Sequence, residues 1–196
     1  VDDLAYFRSL LDDLTHHFAI DEHRIFATGL SNGGAMSHRL ACDLSDRIAA
    51  IAPVGGGNQL AVAQGCNPKR AVPVLEIHGT EDPCWSYDGG KGACVQRDGA
   101  IYVSIPDTVS GWAKRNGCAA TPTTETLPDS TNDGTRVSID RYGSCTADVS
   151  FVKVEGGGHA WPGGYSYFSA DMIGRTSTDV SANQLIWDFF KAHPLP

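Results

Sequence analysis

A pentapeptide with one serine, Gly-Leu-Ser-Asn-Gly at 29–33, has the residue types of a nucleophilic site. An apolar segment that reads as a strand ends directly before it, and a helix is expected to begin near Gly33. The pattern G-x-S-x-G between a strand and a helix is typical of a sharp turn that exposes the serine hydroxyl. Ser31 would then be a nucleophile, and the backbone N–H of Asn32 would stabilise the oxyanion that forms on an attacked carbonyl.

A serine nucleophile needs a base, and the base needs an acid that orients it. In the chain order that accompanies this turn the acid follows the serine, and His-Gly-Thr-Glu-Asp at 78–82 follows a predicted strand. We favour Asp82 as the acid, because its short side chain requires a fixed loop and Pro83 helps to fix one. Glu81 is the alternative acid, and His78 lies at the strand end itself.

One histidine stands in a segment that is flexible enough to reach Ser31. His159 lies in the Gly-rich loop 156–164, which follows another predicted strand. We therefore predict that His159 is the base. The other six histidines lie on predicted helices or at the ends of helices and strands, where surface or packing roles are expected; they are His16, His17, His23, His38, His78 and His193.

The elements that position these residues follow from the apolar pattern of the chain. Helices are predicted over 2–18, 33–44, 108–116 (with Asp107 or Thr108 as its cap) and 181–193, strands over 24–28, 48–54, 72–77, 135–142 and 149–154, and loops over 79–105, 119–134 and 156–178. Short apolar strands between helices predict a mostly parallel sheet with helices on both faces. Functional residues of such sheets follow the carboxyl ends of the strands.

The composition narrows the class of protein. The chain has 196 residues, with 15 Lys and Arg against 23 Asp and Glu, and its formal charge is −8. Its 41% hydrophobic and 19% charged residues are typical of one folded domain and argue against disorder or a repeat array. The acidic balance disfavours nucleic acid as a partner. No apolar run approaches the roughly 20 residues that span a bilayer, so no membrane partner is expected.

Six cysteines, none of them in a CxxC pair, favour disulfides over a zinc or thioredoxin-type site. We predict the sequential pairing, because each pair closes a short loop rich in Gly, Pro or polar residues: Cys42–Cys66, Cys84–Cys94 and Cys118–Cys145. Free buried thiols in a cytosolic protein are the alternative. Disulfides require an oxidising compartment, so we expect a secreted or periplasmic protein.

Four segments together resemble one group of enzymes. They are Gly-Leu-Ser-Asn-Gly-Gly-Ala-Met at 29–36, His-Gly-Thr-Glu-Asp at 78–82, Gly-Gly-Gly-His-Ala-Trp-Pro-Gly-Gly at 156–164 and Ser-Ala-Asn-Gln-Leu-Ile-Trp-Asp-Phe-Phe at 181–190. They resemble the secreted polyhydroxybutyrate depolymerase and feruloyl esterase group of α/β-hydrolases, which is related to carbohydrate esterase family one and its acetyl xylan esterases. The resemblance implies a catalytic triad of Ser31, Asp82 and His159, an acyl-enzyme, and neither a metal nor an organic cofactor.

The chain differs from this group in the segment that precedes the nucleophile. Such hydrolases usually have four strands before the strand that leads to the serine, whereas 30 residues precede Ser31 here. We therefore expect residues 1–196 to form one N-terminally reduced, disulfide-stabilised α/β-hydrolase domain, without the first four strands and without the loop that supplies a second oxyanion N–H. Its sheet would hold about four parallel strands, with strand 135–142 antiparallel at the far edge. Strand 24–28 would become an exposed edge. The chain would then be a fragment, or a second copy would cover the edge, or disulfides would stabilise a naturally reduced hydrolase.

The four tryptophans divide between the site and the core. Trp85 follows the acid and Trp161 follows the base, so both are expected to border the substrate pocket, whereas Trp112 and Trp187 are expected in the core. Aromatic walls suit hydroxycinnamoyl groups or polyester segments.

The predicted function is a serine carboxylic ester hydrolase acting on short-chain, hydroxycinnamoyl (feruloyl) or hydroxyalkanoate esters. Its partner would be an ester substrate, whether a small molecule, a polyester or a plant-polysaccharide ester. The alternative function is a catalytically weak polyester- or carbohydrate-binding remnant of such a hydrolase.

Overall fold

Six strands form one mixed sheet in the computed structural model, which describes residues 2–59, 65–92, 94 and 101–196. The strands in these residues are β1 (Phe26–Leu30), β2 (Ala50–Val54), β3 (Val74–Gly79), β4 (Thr123–Thr126), β5 (Arg136–Tyr142) and β6 (Val149–Glu155). Their order across the sheet is β1-β2-β3-β6-β5-β4. The first four in this order run parallel, and β5 and β4 continue the sheet antiparallel. The four predicted parallel strands and the antiparallel strand near 135–142 are therefore confirmed.

The described residues contain five α-helices: α1 (Asp3–His17), α2 (Asn32–Asp43), α3 (Ile105–Arg115), α4 (Ala170–Ile173) and α5 (Ala182–Ala192). The Ser104 hydroxyl accepts a hydrogen bond from the N–H of Asp107 and thereby caps α3. The prediction that Asp107 or Thr108 caps this helix is therefore wrong. The helix begins earlier because Pro106, in its first turn, is well suited to that position and needs no hydrogen-bond acceptor.

Helices cover both faces of the sheet, as predicted. Leu40 of α2 and Trp112 of α3 pack on one face, and α1 lies partly buried against the same cluster. Ile186 and Phe190 of α5 pack on the other face. Because both faces are covered, β2 and β3 are buried along their whole length. The sheet can therefore hold the loops at its carboxyl edge in fixed positions.

One of the two tryptophans expected in the core lies elsewhere. Trp112 is fully buried, as predicted, but Trp187 is 58% exposed. Ile186 and Phe190 are four residues apart and face the sheet, and the residue after Ile186 is rotated about 100° around the helix towards solvent. Trp187 is therefore a surface residue.

The sheet extends beyond the strand that was predicted to be its edge. β4 lies outside β5, within the stretch 119–134 that was expected to be a loop. Its four residues, Thr-Thr-Glu-Thr, are all exposed and show no alternation of apolar and polar residues. Cross-strand contacts stabilise it, including Arg141 to Glu125 at 2.6 Å. The short helix α4, in the predicted loop 156–178, was missed because one helical turn carries no periodicity.

The predicted disulfides are confirmed, since Cys42 pairs with Cys66, Cys84 with Cys94, and Cys118 with Cys145.

The stretch 79–105, which was predicted to be a loop, contains a turn and a bridge between Gly90 and Tyr102. Residues 93 and 95–100 of this stretch lie outside the described residues. None of the helices in the described part is both long and apolar enough to cross a membrane.

β1 forms one edge of the sheet and pairs only with β2 within the described part of the chain. This agrees with the expectation that the strand at 24–28 lies at an edge. The expectation that a second copy covers it stays a prediction.

Candidate active site

Ser31 occupies the turn between β1 and α2 in a backbone conformation that few residues adopt. Its φ is 61° and its ψ is −118°, a region in which a residue with a Cβ is strained. The turn is tight, since a Cβ on Gly29 would lie 2.8 Å from the Cα of Gly33. Ser31 is the N-cap of α2, yet its side chain makes no capping hydrogen bond. Within the described residues the Ser31 hydroxyl makes no other hydrogen bond, and Ser31 borders a cavity.

Asp82 lies three residues beyond the end of β3 and is 5% exposed. One carboxylate oxygen, Oδ1, accepts hydrogen bonds from the N–H groups of Cys84 at 2.7 Å and Trp85 at 2.8 Å. The other, Oδ2, lies 2.7 Å from Nδ1 of His159. The turn after β3 thus fixes the carboxylate and aims one oxygen at the imidazole.

The two alternatives to Asp82 lie in other surroundings. The Glu81 carboxylate is exposed and lies 3.0 Å from the guanidinium of Arg175. The His78 imidazole is buried, with Nδ1 2.9 Å from the Gly79 carbonyl oxygen and Nε2 3.6 Å from Oδ2 of Asp82. Burial lowers the pKa of His78, and the negative charge of Asp82 opposes this effect in part. Of the two acids weighed from the sequence, only Asp82 is in contact with His159.

His159 brings its side chain to the same cavity as Ser31. A carboxylate can only accept, so Nδ1 of His159 carries the proton that it donates to Asp82, and Nε2 is left as a proton acceptor. The Ser31 hydroxyl and the imidazole make no direct hydrogen bond within the described part of the chain. Catalytic contacts of this kind are often long in a free protein and shorten once substrate binds.

Glycines let the loop of His159 lie against neighbouring backbone. A Cβ on Gly158 would lie 2.1 Å from the Ile173 carbonyl oxygen, and one on Gly79 would lie 2.2 Å from the Gly157 carbonyl oxygen. Main chain therefore approaches main chain closely where the end of β3, the loop of His159 and residues 173–174 meet. This close approach explains the glycines at 79 and 158.

A cavity of about 640 Å³ opens beside Ser31 and His159. Asn32 and Trp85 border it, so two more of the predicted site residues lie at this place. As the first residue of α2, Asn32 has no acceptor for its N–H within the helix. The remaining wall is mostly apolar and aromatic, and its residues are Leu30, Cys84, Cys94, Tyr102, Tyr167, Phe168, Met172 and Ile173.

Trp161 does not line this cavity, which corrects the sequence-based expectation. Its indole N–H donates to Oδ1 of Asn183 at 2.9 Å, and its ring packs against the cluster that α5 forms with the sheet. The residue two positions after His159 therefore points back to the scaffold. Trp161 ties the loop of His159 to α5.

Sequence reasoning missed most of the aromatic wall. Tyr102, Tyr167 and Phe168 come from irregular stretches in which no periodicity marks a residue as buried or exposed. The one available signal is the uncharged run Tyr-Ser-Tyr-Phe at 165–168, in a chain with many charged surface residues.

Three side chains of the described residues place possible metal-ligand atoms close together, but these atoms already have other bonding partners. Side-chain atoms of Asp82, Cys84 and His159 lie within 4.8 Å of one another. Cys84 is in a disulfide, however, and Asp82 and His159 are bonded to each other. This donor set suits proton transfer better than metal binding.

Two buried titratable residues, His38 and Glu76, lie on the elements that lead to or from the site. His38 accepts a hydrogen bond from the Trp112 indole at Nδ1, 3.0 Å away, so its Nε2 carries the proton. That nitrogen lies 3.0 Å from Oε2 of Glu76 and 3.2 Å from the carbonyl oxygen of Gly56. Burial raises the pKa of Glu76, and the contact with His38 opposes this only in part. The pair connects α2, which follows Ser31, to β3, which leads to Asp82.

We expect Glu76→Gln to stabilise the protein relative to the wild type, increasingly as the pH rises above about 4.5. A carboxyl whose pKa is raised in the folded state stabilises the fold below its unfolded value of 4.5, and this contribution is lost as the pH rises through the folded pKa. Glutamine does not titrate, so it escapes the loss. Urea unfolding of both proteins at several pH values measures the difference, with the exposed Glu22→Gln as the control. A difference that does not change with pH would contradict the expectation.

Curated proteins that resemble the chain are esterases. No protein-family model matches the chain. It is similar to feruloyl esterase B of Piromyces equi, with 30% identity over 100% of this chain and 32% of the relative. It is also similar to feruloyl esterase C of Emericella nidulans, with 29% identity over 97% of this chain and 58% of the relative. The chain thus spans about a third to three-fifths of the length of these curated relatives.

A solved structure shows the same kind of fold. The acetyl xylan esterase from Aspergillus awamori superposes with a TM-score of 0.59 and 14% sequence identity, over 95% of this chain and 66% of the other. At this identity the likeness concerns the fold. The mostly parallel sheet with helices on both faces therefore matches the fold of an esterase.

Proposed function

We propose that the chain is the catalytic part of a serine carboxylic ester hydrolase with an α/β-hydrolase fold. The observation that carries the proposal is the hydrogen bond between Asp82 and His159 at the cavity that the strained Ser31 also borders. The three residues come from three loops at the carboxyl edge of the sheet, after β1, β3 and β6. This is the chain order and the position of nucleophile, acid and base in that fold.

The proposed reaction has two halves. Nε2 of His159 takes the proton of the Ser31 hydroxyl while its oxygen attacks the ester carbonyl, and the N–H of Asn32 binds the oxyanion. The imidazolium, held by Asp82, returns the proton to the alcohol as the carbon–oxygen bond breaks, which leaves an acyl-enzyme. Water then attacks the acyl-enzyme with the same proton transfers and releases the acid and the free serine.

The proposed substrates are hydroxycinnamoyl or acetyl esters. Two relatives are named feruloyl esterases, and a third is named a bifunctional acetylxylan esterase/xylanase from Neocallimastix patriciarum. The aromatic wall supports a planar acyl group, because Trp85, Tyr102 and Phe168 offer flat apolar surfaces. Hydroxyalkanoate esters, which the resemblance to polyhydroxybutyrate depolymerases suggests, stay a prediction from the sequence.

Residues 1–196 would belong to one hydrolase domain, in which the N–H of Asn32 is the one backbone oxyanion donor assigned. Three disulfides in the described residues support an oxidising compartment, and thus secretion or the periplasm.

A fluorophosphonate probe tests the proposed function without a choice of ester. Only a serine activated by a neighbouring base reacts quickly with such a probe. We expect one probe to be bound per chain, on Ser31, as measured by intact mass and by the mass of the labelled peptide. A panel of methyl ferulate, p-nitrophenyl acetate and a hydroxybutyrate ester then ranks the substrates. A folded chain that stays unlabelled and binds polyester or polysaccharide would instead be the catalytically weak remnant.

A further inference from the structure

One short segment holds the backbone of His159 from both sides. We call residues 167–173 the strap; it ends in α4 and carries several exposed apolar side chains. The N–H of His159 donates to the Ile173 carbonyl oxygen. The Tyr167 hydroxyl donates to the His159 carbonyl oxygen at 2.9 Å. Both polar groups of the His159 peptide backbone are therefore bound by the strap.

These contacts matter because the loop before His159 has no side chains that could fix it. Residues 156–158 are three glycines, and main-chain contacts hold them, such as the hydrogen bond from the N–H of Gly158 to the Arg175 carbonyl oxygen. The two bonds at residue 159 extend this set of contacts to the residue whose imidazole must be aligned. One of the two bonds comes from main chain at Ile173, and the other comes from the side chain of Tyr167.

Tyr167 also forms part of the cavity wall. Its ring borders the cavity together with Ser31 and the His159 side chain. Burial raises the pKa of its phenol, and the negative charge of Asp82 raises it further. The phenol therefore stays protonated at neutral pH and keeps its role as a donor. One side chain thus faces the substrate space and holds the histidine at the same time.

We propose that Tyr167 is a positioning residue and forms a wall of the pocket for the acyl group; this rests on the proposed serine esterase function. The hydroxyl holds the His159 backbone so that the imidazole keeps its alignment between Asp82 and Ser31. The ring forms the wall against which a planar acyl group packs. The two roles belong to different atoms of one side chain, so different substitutions separate them.

Three variants separate the two roles. Tyr167→Phe removes the hydroxyl and keeps the ring, whereas Tyr167→Ala removes both. Tyr165→Phe is the matched control, because Tyr165 undergoes the same chemical change two residues away, is 91% exposed and does not line the cavity. Each variant is measured for kcat and KM on methyl ferulate, for the rate of fluorophosphonate labelling and for the melting temperature.

We expect Tyr167→Phe to lower kcat and the labelling rate by about threefold to tenfold, the usual effect of one lost neutral hydrogen bond, with KM within about twofold of the wild type. Tyr167→Ala should lower kcat by a similar factor and raise KM about fivefold to tenfold. Tyr165→Phe should match the wild type.

Three results would overturn the proposal or part of it. If the kcat and labelling rate of Tyr167→Phe equal those of Tyr165→Phe, the hydroxyl does not position His159 and contributes at most to stability, which the melting temperature reports. If Tyr167→Ala raises KM no more than Tyr167→Phe does, the ring is not a wall for the acyl group. If the folded wild type is not labelled at all, the serine esterase function itself fails, and this inference fails with it.

Discussion

Ser31→Ala should lower kcat for p-nitrophenyl acetate by about 10⁴- to 10⁶-fold, with the protein still folded. The variant keeps the cavity and the N–H of Asn32 but has no oxygen that can form the acyl-enzyme. The turn should persist, because main-chain bonds hold it. The N–H of Ser31 donates to the Val54 carbonyl oxygen, and the Ser31 carbonyl oxygen accepts from Ala35. Steady-state kinetics, fluorophosphonate labelling and circular dichroism of the purified variant measure the effect.

Ser110→Ala is the matched control for that measurement. Ser110 is an exposed serine on α3 and does not line the cavity. Its replacement should leave kcat and labelling within twofold of the wild type. Turnover of Ser31→Ala at more than about a tenth of the wild-type rate would show that the hydrolysis does not pass through Ser31.

The second large effect is expected from Asp82→Asn, which should lower kcat by about 10⁴-fold. The amide oxygen of asparagine can still accept from the N–H groups of Cys84 and Trp85, so the turn after β3 should keep its shape. The amide N–H₂ then faces His159 in place of Oδ2. The imidazole can no longer donate from Nδ1, so it adopts the tautomer with the proton on Nε2, which cannot accept the proton of Ser31.

Glu81→Gln supplies a close comparison, because it neutralises the neighbouring carboxylate. Glu81 is exposed and paired with Arg175, so its loss should change kcat by less than about twofold. Both variants are measured for kcat and KM from pH 6 to 9, with the melting temperature as a check on folding. A large loss in Glu81→Gln together with a small loss in Asp82→Asn would reverse the choice of acid.

The proposed mechanism depends on main-chain contacts as much as on the three side chains. Asp82 is held by two N–H groups of its own turn, and the loop of His159 lies against Gly79 and residues 173–174. Contacts of this kind leave no room for a Cβ, so the glycines around the site act through shape. The strap and the disulfide between Cys84 and Cys94 then complete the cavity on the side away from the sheet.

Much of this site could be predicted from the sequence, because its parts are local. The pentapeptide at 29–33 predicts a strand–turn–helix junction from five consecutive residues. The apolar runs of β2, β3 and β6 predict central strands, since a strand buried on both faces has few polar residues. Because these strands run parallel to β1, the loops after β3 and β6 lie at the same edge of the sheet as Ser31.

Other features could not be predicted, because they depend on contacts between distant segments. β4 exists through its pairing with β5 and has no apolar pattern of its own. The choice between Asp82 and Glu81 is decided by which carboxylate faces His159, 77 residues away. Trp161 and Tyr167 follow His159 closely in the chain, yet the first packs towards α5 and the second towards the cavity.

Four features could be predicted from the amino-acid sequence alone: the candidate nucleophile, the order of acid and base, the parallel centre of the sheet and the disulfide pairs. These follow from residue type, local spacing and the burial that a continuous apolar run requires. The folded chain was needed to show which acid meets the histidine, which aromatic residues line the cavity and how the strap holds His159. These features depend on contacts between segments that are far apart in the sequence and meet only when the core packs.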